Sequence, residues 1–86
     1  MTYADRMREK LIAAYNPVAL EIIDESEAHR GHGGYREGGE THFKIIIQAA
    51  AFNGLSLVAR QRAVMATVKA EMDERVHALA LEVSGT

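Results

Sequence analysis

The sequence contains no cysteine, no tryptophan and a single proline among its 86 residues. Without cysteine the chain can form no disulfide, offers no thiolate nucleophile and cannot by itself supply the thiolates that hold an iron–sulfur cluster. Its apolar runs are far shorter than the roughly 20 residues of a membrane-spanning helix. Residues 1–10 carry charges without the apolar core of a secretory signal. We therefore expect one domain spanning residues 1–86, cytoplasmic and not associated with a membrane.

Positive charge is also scarce, because 10 Lys and Arg face 12 Asp and Glu and the net charge is −2. Nucleic-acid-binding domains usually carry a basic excess, since neutralising phosphates supplies much of their affinity. The overall charge argues against a dedicated DNA-binding protein, while a local basic patch stays open. The 48% of hydrophobic residues and 26% of charged residues are ordinary for a globular domain.

Helical spacing of apolar residues appears in two segments. In residues 2–15, Tyr3, Met7 and Leu11 share one face, and the helix must end before Pro17 because the residue before a proline disfavours helical backbone. A second helix is predicted over residues 57–73, with Ser56 as its N-cap. We expect this helix to bury four apolar residues: Val58, Met65, Val68 and Met72. We expect it to expose three basic ones: Arg60, Arg62 and Lys69.

Three shorter segments are typical of β-strands: residues 18–24, 41–49 and 76–83. Residues 25–40, with five of the seven glycines, predict a long loop between the first two strands. In the last strand, His77 shares a face with Leu79 and Leu81. A right-handed crossover then makes the last strand parallel to the second. The expected fold is α/β (α+β), a three-stranded mixed sheet with helices on one face.

Four histidines are the residues best suited to chemistry here, because neutral imidazole is the commonest metal ligand. His29 and His32 lie in the long loop, where each alone would ordinarily be solvated. His42 lies on the less apolar face of its strand, which favours a surface or cross-strand role. His77 lies on an apolar face, and two interpretations stay open for it: a buried histidine bonded to backbone, or a ligand.

Enzyme motifs are missing from the sequence. It has no nucleophile elbow, no phosphate-binding loop followed by lysine and no HExxH pattern. Asp24, Ser26 and His29 match the residue types of a catalytic triad, but closeness in sequence beside a glycine-rich loop defines no geometry. We predict that the chain is not an enzyme.

Four motifs in order along the chain resemble the BolA family. They are residues 20–26 (LEIIDES) followed by His29, 39–44 (GETHFK), 52–62 (FNGLSLVARQR) and 76–81 (VHALAL). Two positions depart from the family pattern: Gln61 stands where histidine is usual, and Gln48-Ala49 where Val-Ser is more typical. The resemblance implies an α-β-β-α-(α)-β fold related to the second class of KH domains.

The resemblance also implies a partner and a shared cofactor. BolA-like proteins pair with monothiol glutaredoxins and share a [2Fe–2S] cluster in iron–sulfur and iron homeostasis. The glutaredoxin cysteine and glutathione would supply the thiolates, and His77 with His29 would be this chain's ligands. The isolated protein, a monomer or weak homodimer, would then hold no cluster, in keeping with its lack of cysteine. Imidazole in place of thiolate would raise the reduction potential, as in Rieske-type centres.

The family's other role is transcriptional regulation in stress response and cell morphology, through the KH-like helical face. Arg60, Arg62 and Lys69 would then contact DNA weakly. KH domains clamp the nucleic-acid backbone with a GXXG loop, and residues 54–57 (GLSL) carry only its first glycine. The sequence therefore favours the cluster partner over the DNA-binding regulator.

Overall fold

The computed structural model describes residues 1–29 and 39–86, without the side chains of positions 28 and 29. The chain order is α-β-β-α-α-β, with two short 3₁₀ turns, which confirms the expected α+β fold. The helices are α1 (Tyr3–Tyr15), α2 (Leu57–Thr67) and α3 (Lys69–Glu74), and the strands are β1 (Ala19–Asp24), β2 (His42–Gln48) and β3 (Ala78–Ser84). The 3₁₀ turns are Ser26–His29 and Ala50–Phe52.

The three strands form one mixed sheet in the order β1-β2-β3. β1 pairs with β2 antiparallel, with Asp24 opposite Phe43. β3 pairs with β2 in parallel, with Ala78 opposite His42. The last residue of β1 and the first residues of β2 and β3 therefore lie at one end of the sheet, which we call the His42 end.

The core lies between one face of the sheet and the helices. The inward side chains of β2 alternate along the strand at Phe43, Ile45 and Ile47, and all three are buried. The remaining buried apolar residues come from every other layer: Met7, Leu11, Ala49, Phe52, Val64, Val68, Val76 and Val83. Burial of these side chains is the main favourable contribution to folding.

The N-terminus of α1 is held by two carboxylates. Thr2 and Asp5 form a capping box. Glu40, from the residues just before β2, accepts the backbone N–H of Tyr3 at 2.7 Å and of Ala4 at 3.3 Å. Glu40 does so from left-handed backbone, with φ 58°. The start of α1 is thereby tied to the entry of β2.

A buried carboxylate joins α1 to α3. Glu71 is fully buried, and its oxygens accept Lys10 Nζ at 2.7 and 3.0 Å and lie 3.0 Å from an Arg6 nitrogen. A buried charge is tolerated only when it is paired in this way. Glu71 therefore has a structural role, as the ion-pair partner that links α3 to α1.

The predicted second helix differs from the observed one in two respects. It breaks at Val68, whose φ of −105° and ψ of 18° separate α2 from α3. Val58 and Met65, expected to be buried, are 55% and 38% exposed, so that prediction is wrong. Val68 is buried and Met72 half-buried, as expected. The apolar residues of α2 lie on several of its faces, so their spacing alone does not decide which face packs on the sheet.

Candidate functional site

His77 stands at the His42 end of the sheet, in the residue just before β3. Its backbone N–H donates to the Thr41 carbonyl at 2.7 Å, and the N–H of Ala78 reaches the same oxygen at 3.1 Å. The side chain of His77 is exposed. The interpretation of His77 as a buried core histidine is therefore wrong. What remains is an accessible imidazole on a fixed backbone.

His42 lies beneath His77. Their ring centroids are 5.4 Å apart and the planes are tilted by 53°. His42 is only 5% exposed, so the expected surface position is wrong, whereas the contact towards the neighbouring strand agrees with the cross-strand alternative. Strand parity gives the face of a side chain, but it does not reveal that another segment packs over that face.

A buried hydrogen-bond network supports this histidine pair. Ser26 Oγ accepts the backbone N–H of Thr41 at 2.9 Å and of His42 at 3.2 Å. The Ser26 hydroxyl lies 2.5 Å from Asp24 Oδ1, to which it donates. Thr41 Oγ1 lies 2.9 Å from Nδ1 of His42. Ser26, Thr41 and His42 are all buried, and every buried side-chain nitrogen and oxygen in the described part of the chain has a partner.

Asp24 provides the negative charge of the network. Burial raises the pKa of its carboxyl, but hydrogen bonds from the Ser26 hydroxyl, the Ser26 N–H and the Glu40 N–H lower it, as does the charge of Arg75. The net pKa lies below the ordinary value for aspartate. Asp24 is therefore ionised at neutral pH and acts as an acceptor only.

An open cavity of about 180 Å³ lies against His42 and the start of β3. It is lined by Glu25, His42, Phe43, Ala78, Leu79 and Ala80. The small side chains of Ala78 and Ala80 leave this part of β3 accessible, since both residues are exposed. A partner group that approached His77 would meet a concave surface here.

His29, the second expected ligand, is described only in part. The 3₁₀ turn that ends at His29 follows β1, so its backbone lies at the His42 end of the sheet. Its imidazole lies outside the described side chains. His32 and residues 30–38 of the predicted glycine-rich loop lie outside the described residues. Within residues 1–27 and 39–86, no three His, Asp or Glu side chains are grouped as a metal site.

The three basic residues expected to contact DNA do not form one free basic face. Arg60 is half-buried, and its Nε donates to the Phe52 carbonyl at 3.1 Å. Lys69 forms an ion pair with Asp73 at 2.7 Å. Arg62 is exposed. Of the three, Arg62 is therefore the best placed to contact a phosphate group.

The positions of Ser26, Thr41 and His42 in a buried network were not predicted from the sequence. All three occur inside the motifs that resembled the BolA family, at residues 20–26 and 39–44. Nothing in the alternation of polar and apolar residues separates a buried hydroxyl from a solvated one. The signal that was available is position: Ser26 follows one strand and Thr41 precedes the next, so antiparallel pairing brings them together.

Comparisons with known proteins agree with the motifs. A family model described as "BolA-like protein" matches residues 11–86. The chain is 40% identical over 81 residues to the DNA-binding transcriptional regulator BolA of Escherichia coli strain K12, which covers 94% of this chain and 73% of that protein. A Sinorhizobium protein described as "Uncharacterized protein in cobS 5'region" is 43% identical over 83 residues, covering 95% of this chain and 89% of its own.

A solved structure shows the same fold. The BolA domain of SufE1 from Arabidopsis thaliana superposes with a TM-score of 0.87 at 36% identity, over 99% of this chain and 93% of that one. This chain belongs to the BolA family. None of the described helices is long and apolar enough to cross a membrane.

Proposed function

We propose that this BolA-family protein binds a monothiol glutaredoxin and contributes His77 and His29 as ligands to a shared [2Fe–2S] cluster in iron–sulfur homeostasis. The observation that carries the proposal is the exposed imidazole of His77, which stands over a buried polar network beside an open cavity. The residue lies on backbone fixed by the Thr41 carbonyl. Little conformational entropy is then lost when His77 meets a partner.

The residue types present fit the group. An iron–sulfur cluster needs thiolates, and a chain without cysteine can supply only imidazole. When bound, the cluster supplies one-electron redox chemistry, and replacement of thiolates by neutral imidazoles raises its reduction potential. The protein would contribute an imidazole, that of His77, presented from a fixed backbone position at the His42 end.

His29 differs from His77 in its setting. It ends a short 3₁₀ turn and precedes a glycine-rich segment. Glycine has the largest backbone freedom to lose, so recruiting a ligand from such a segment costs entropy each time the partner docks. We therefore expect His77→Ala to abolish the visible spectrum of the complex. We expect His29→Ala to alter that spectrum while leaving a complex in which His32 or water takes the vacant position.

The proposal is tested by reconstituting the chain with a monothiol glutaredoxin, glutathione, iron and sulfide. Visible absorption, circular dichroism and iron and sulfide content are then measured for the complex and for each protein alone. The isolated chain should be colourless, and the complex with His77→Ala should lose the wild-type spectrum. Arg62→Ala, on the exposed side of α2, is the matched control and should keep it. Stoichiometric iron and sulfide on the isolated chain, or an unchanged spectrum with His77→Ala, would contradict the proposal.

A regulator that contacts DNA is the second candidate. The observation in its favour is the 40% identity to the Escherichia coli protein described as a DNA-binding transcriptional regulator. Against it stand the net charge of −2 and the pairing of Lys69 with Asp73. Binding should therefore be weak, largely non-specific and steeply dependent on salt.

A further inference from the structure

The buried position of His42 beneath His77 has no role in the proposed ligand set. A buried imidazole is polar and must be hydrogen-bonded, so a purely apolar side chain would fill the same space at lower cost. The ring of His42 nevertheless lies in contact distance of the exposed His77 ring and is bonded through Nδ1 to Thr41. The buried imidazole of His42 is therefore expected to have a function that an apolar side chain could not provide.

The side chains of the network form one continuous chain of hydrogen bonds. Ser26 donates its hydroxyl proton to the Asp24 carboxylate, so its oxygen accepts from its other neighbours. Thr41 Oγ1 lies 3.3 Å from that oxygen and 2.9 Å from Nδ1 of His42, and the tautomer of His42 decides which member of the second pair donates. The His42 ring is thus tied to Asp24 through two buried hydroxyls.

Thr41 also fixes His77. Its carbonyl accepts the His77 N–H at 2.7 Å, while its hydroxyl holds the His42 ring. A single buried residue, Thr41, therefore holds both histidines. A shift of Thr41 would move the ring that lies beneath and the backbone that carries the exposed imidazole at the same time.

We propose that His42 is a positioning residue for His77: its locked ring supports the His77 imidazole and sets the direction in which that imidazole faces a bound metal group. This inference rests on the proposed function, because it assigns His42 to the same site. Outer groups that orient metal ligands typically change metal affinity about 10–100-fold when removed. His42 would act in that way through ring contact, without itself ligating the metal.

The first measurement uses the free protein. The imidazole carbon-bound protons of His77 are observed by NMR in the wild type, in Thr41→Val and in Thr41→Ser. Valine matches threonine in shape but lacks the hydroxyl, whereas serine keeps it. We expect Thr41→Val to shift the His77 ring signals and the ¹⁵N signals of His42, and Thr41→Ser to leave both near their wild-type positions. Equal His77 signals in all three proteins would overturn the inference without bearing on the proposed function.

The second measurement uses the reconstituted complex with the glutaredoxin. His42→Ala and Thr41→Val should each change the visible circular dichroism and shorten the lifetime of the spectrum by about tenfold or more. His42→Ala complexes with wild-type dichroism and lifetime would overturn the positioning role. If His42→Ala does not fold, the pair Thr41→Val and Thr41→Ser decides the question alone. A wild-type spectrum with His77→Ala would instead remove the proposed function itself, so the two failures are distinguishable.

Discussion

The His42 end of the sheet and the outer surface of α2 are built on opposite plans. At the His42 end, polar side chains are buried and each is held by hydrogen bonds, as with Ser26 and Thr41. On α2, apolar side chains are exposed, as with Leu57 and Val58. Ordered polar groups in a dry setting preorganise a ligand site, because they need not rearrange when the ligand arrives.

This difference bears on the two candidate functions. A cluster ligand must be held in one position, and the His42 end provides that through the network under His77. A DNA-contacting face needs several cations on one surface. On α2 and α3, Arg60 is half-buried and Lys69 is paired with Asp73. The comparison therefore favours the cluster partner. Four sets of substitutions test this difference between the two regions.

Ser26→Ala should be the most destabilising change at the His42 end. It removes the acceptor of two buried backbone N–H groups, those of Thr41 and His42. An unsatisfied buried donor costs about 1–3 kcal/mol, so the free energy of unfolding should fall by roughly 2–4 kcal/mol. Urea denaturation measures this loss. Ser84→Ala, at an exposed position of β3, should stay within about 0.5 kcal/mol of wild type. A loss below 1 kcal/mol for Ser26→Ala would mean that the network contributes little.

On α2, two valines allow a matched test of burial. Val64 is fully buried and Val58 is 55% exposed. Val64→Ala should lower the free energy of unfolding by about 1.5–3 kcal/mol, because it removes buried methyl groups and leaves a cavity. Val58→Ala should change it by less than about 0.5 kcal/mol. If thermal or urea unfolding gave the same loss of unfolding free energy for both variants, the outer surface of α2 would be packed against another protein surface in solution.

The loss of folding stability at acidic pH should depend on Asp24. Its pKa is lower in the folded protein than its ordinary value of about 3.9, so its ionised form favours the folded state. That contribution is complete above the unfolded-state pKa and is lost as the pH falls through the folded-state pKa. Asp24→Asn should therefore be less stable than wild type at pH 7, and the gap should narrow below about pH 4. Urea midpoints across this range measure the gap. A stability difference that did not change with pH would contradict the stabilising role of the ionised Asp24 carboxylate.

The smallest effect is expected in DNA binding. Arg62→Ala should reduce the slope of log affinity against log salt by about 0.9, the value for one lost phosphate contact. Lys69→Ala should reduce it less, because Asp73 offsets that charge. Fluorescence anisotropy with a labelled duplex at several salt concentrations separates the two variants. If neither protein nor variant binds at low salt, the regulator candidate loses its physical basis.

The sequence predicted the helices and strands well, because helix ends and strand alternation depend on residues close together in the chain. Pro17 ends α1 as expected, where Asn16 adopts left-handed backbone at the C-cap. The alternation of apolar residues within 41–49 agrees with the buried face of β2, formed by Phe43, Ile45 and Ile47. The break at Val68 was missed, since no glycine or proline marks it. Its cause is tertiary: Val68 is buried in the core while Glu71, in the next turn, turns towards Lys10 and Arg6 of α1.

The candidate site was predicted only in part for a similar reason. The motif at residues 76–81 pointed to His77, and the exposure of its side chain could not be inferred from parity. The contact of His42 with His77 joins two segments that are distant in sequence. Contacts between remote segments leave no periodic trace in a single sequence. The position of the His29 imidazole stays a prediction.

The parallel pairing of β2 with β3 also fixes when the site comes into existence. β1 and β2 pair with each other along the chain, whereas β3 reaches β2 only after α2 and α3 have crossed the sheet. Contacts between such remote segments require closure of the intervening chain. His77 therefore meets His42 only when β3 is paired with β2. A chain in which β3 is detached has no assembled site, so binding of the partner would depend on the pairing of these two strands.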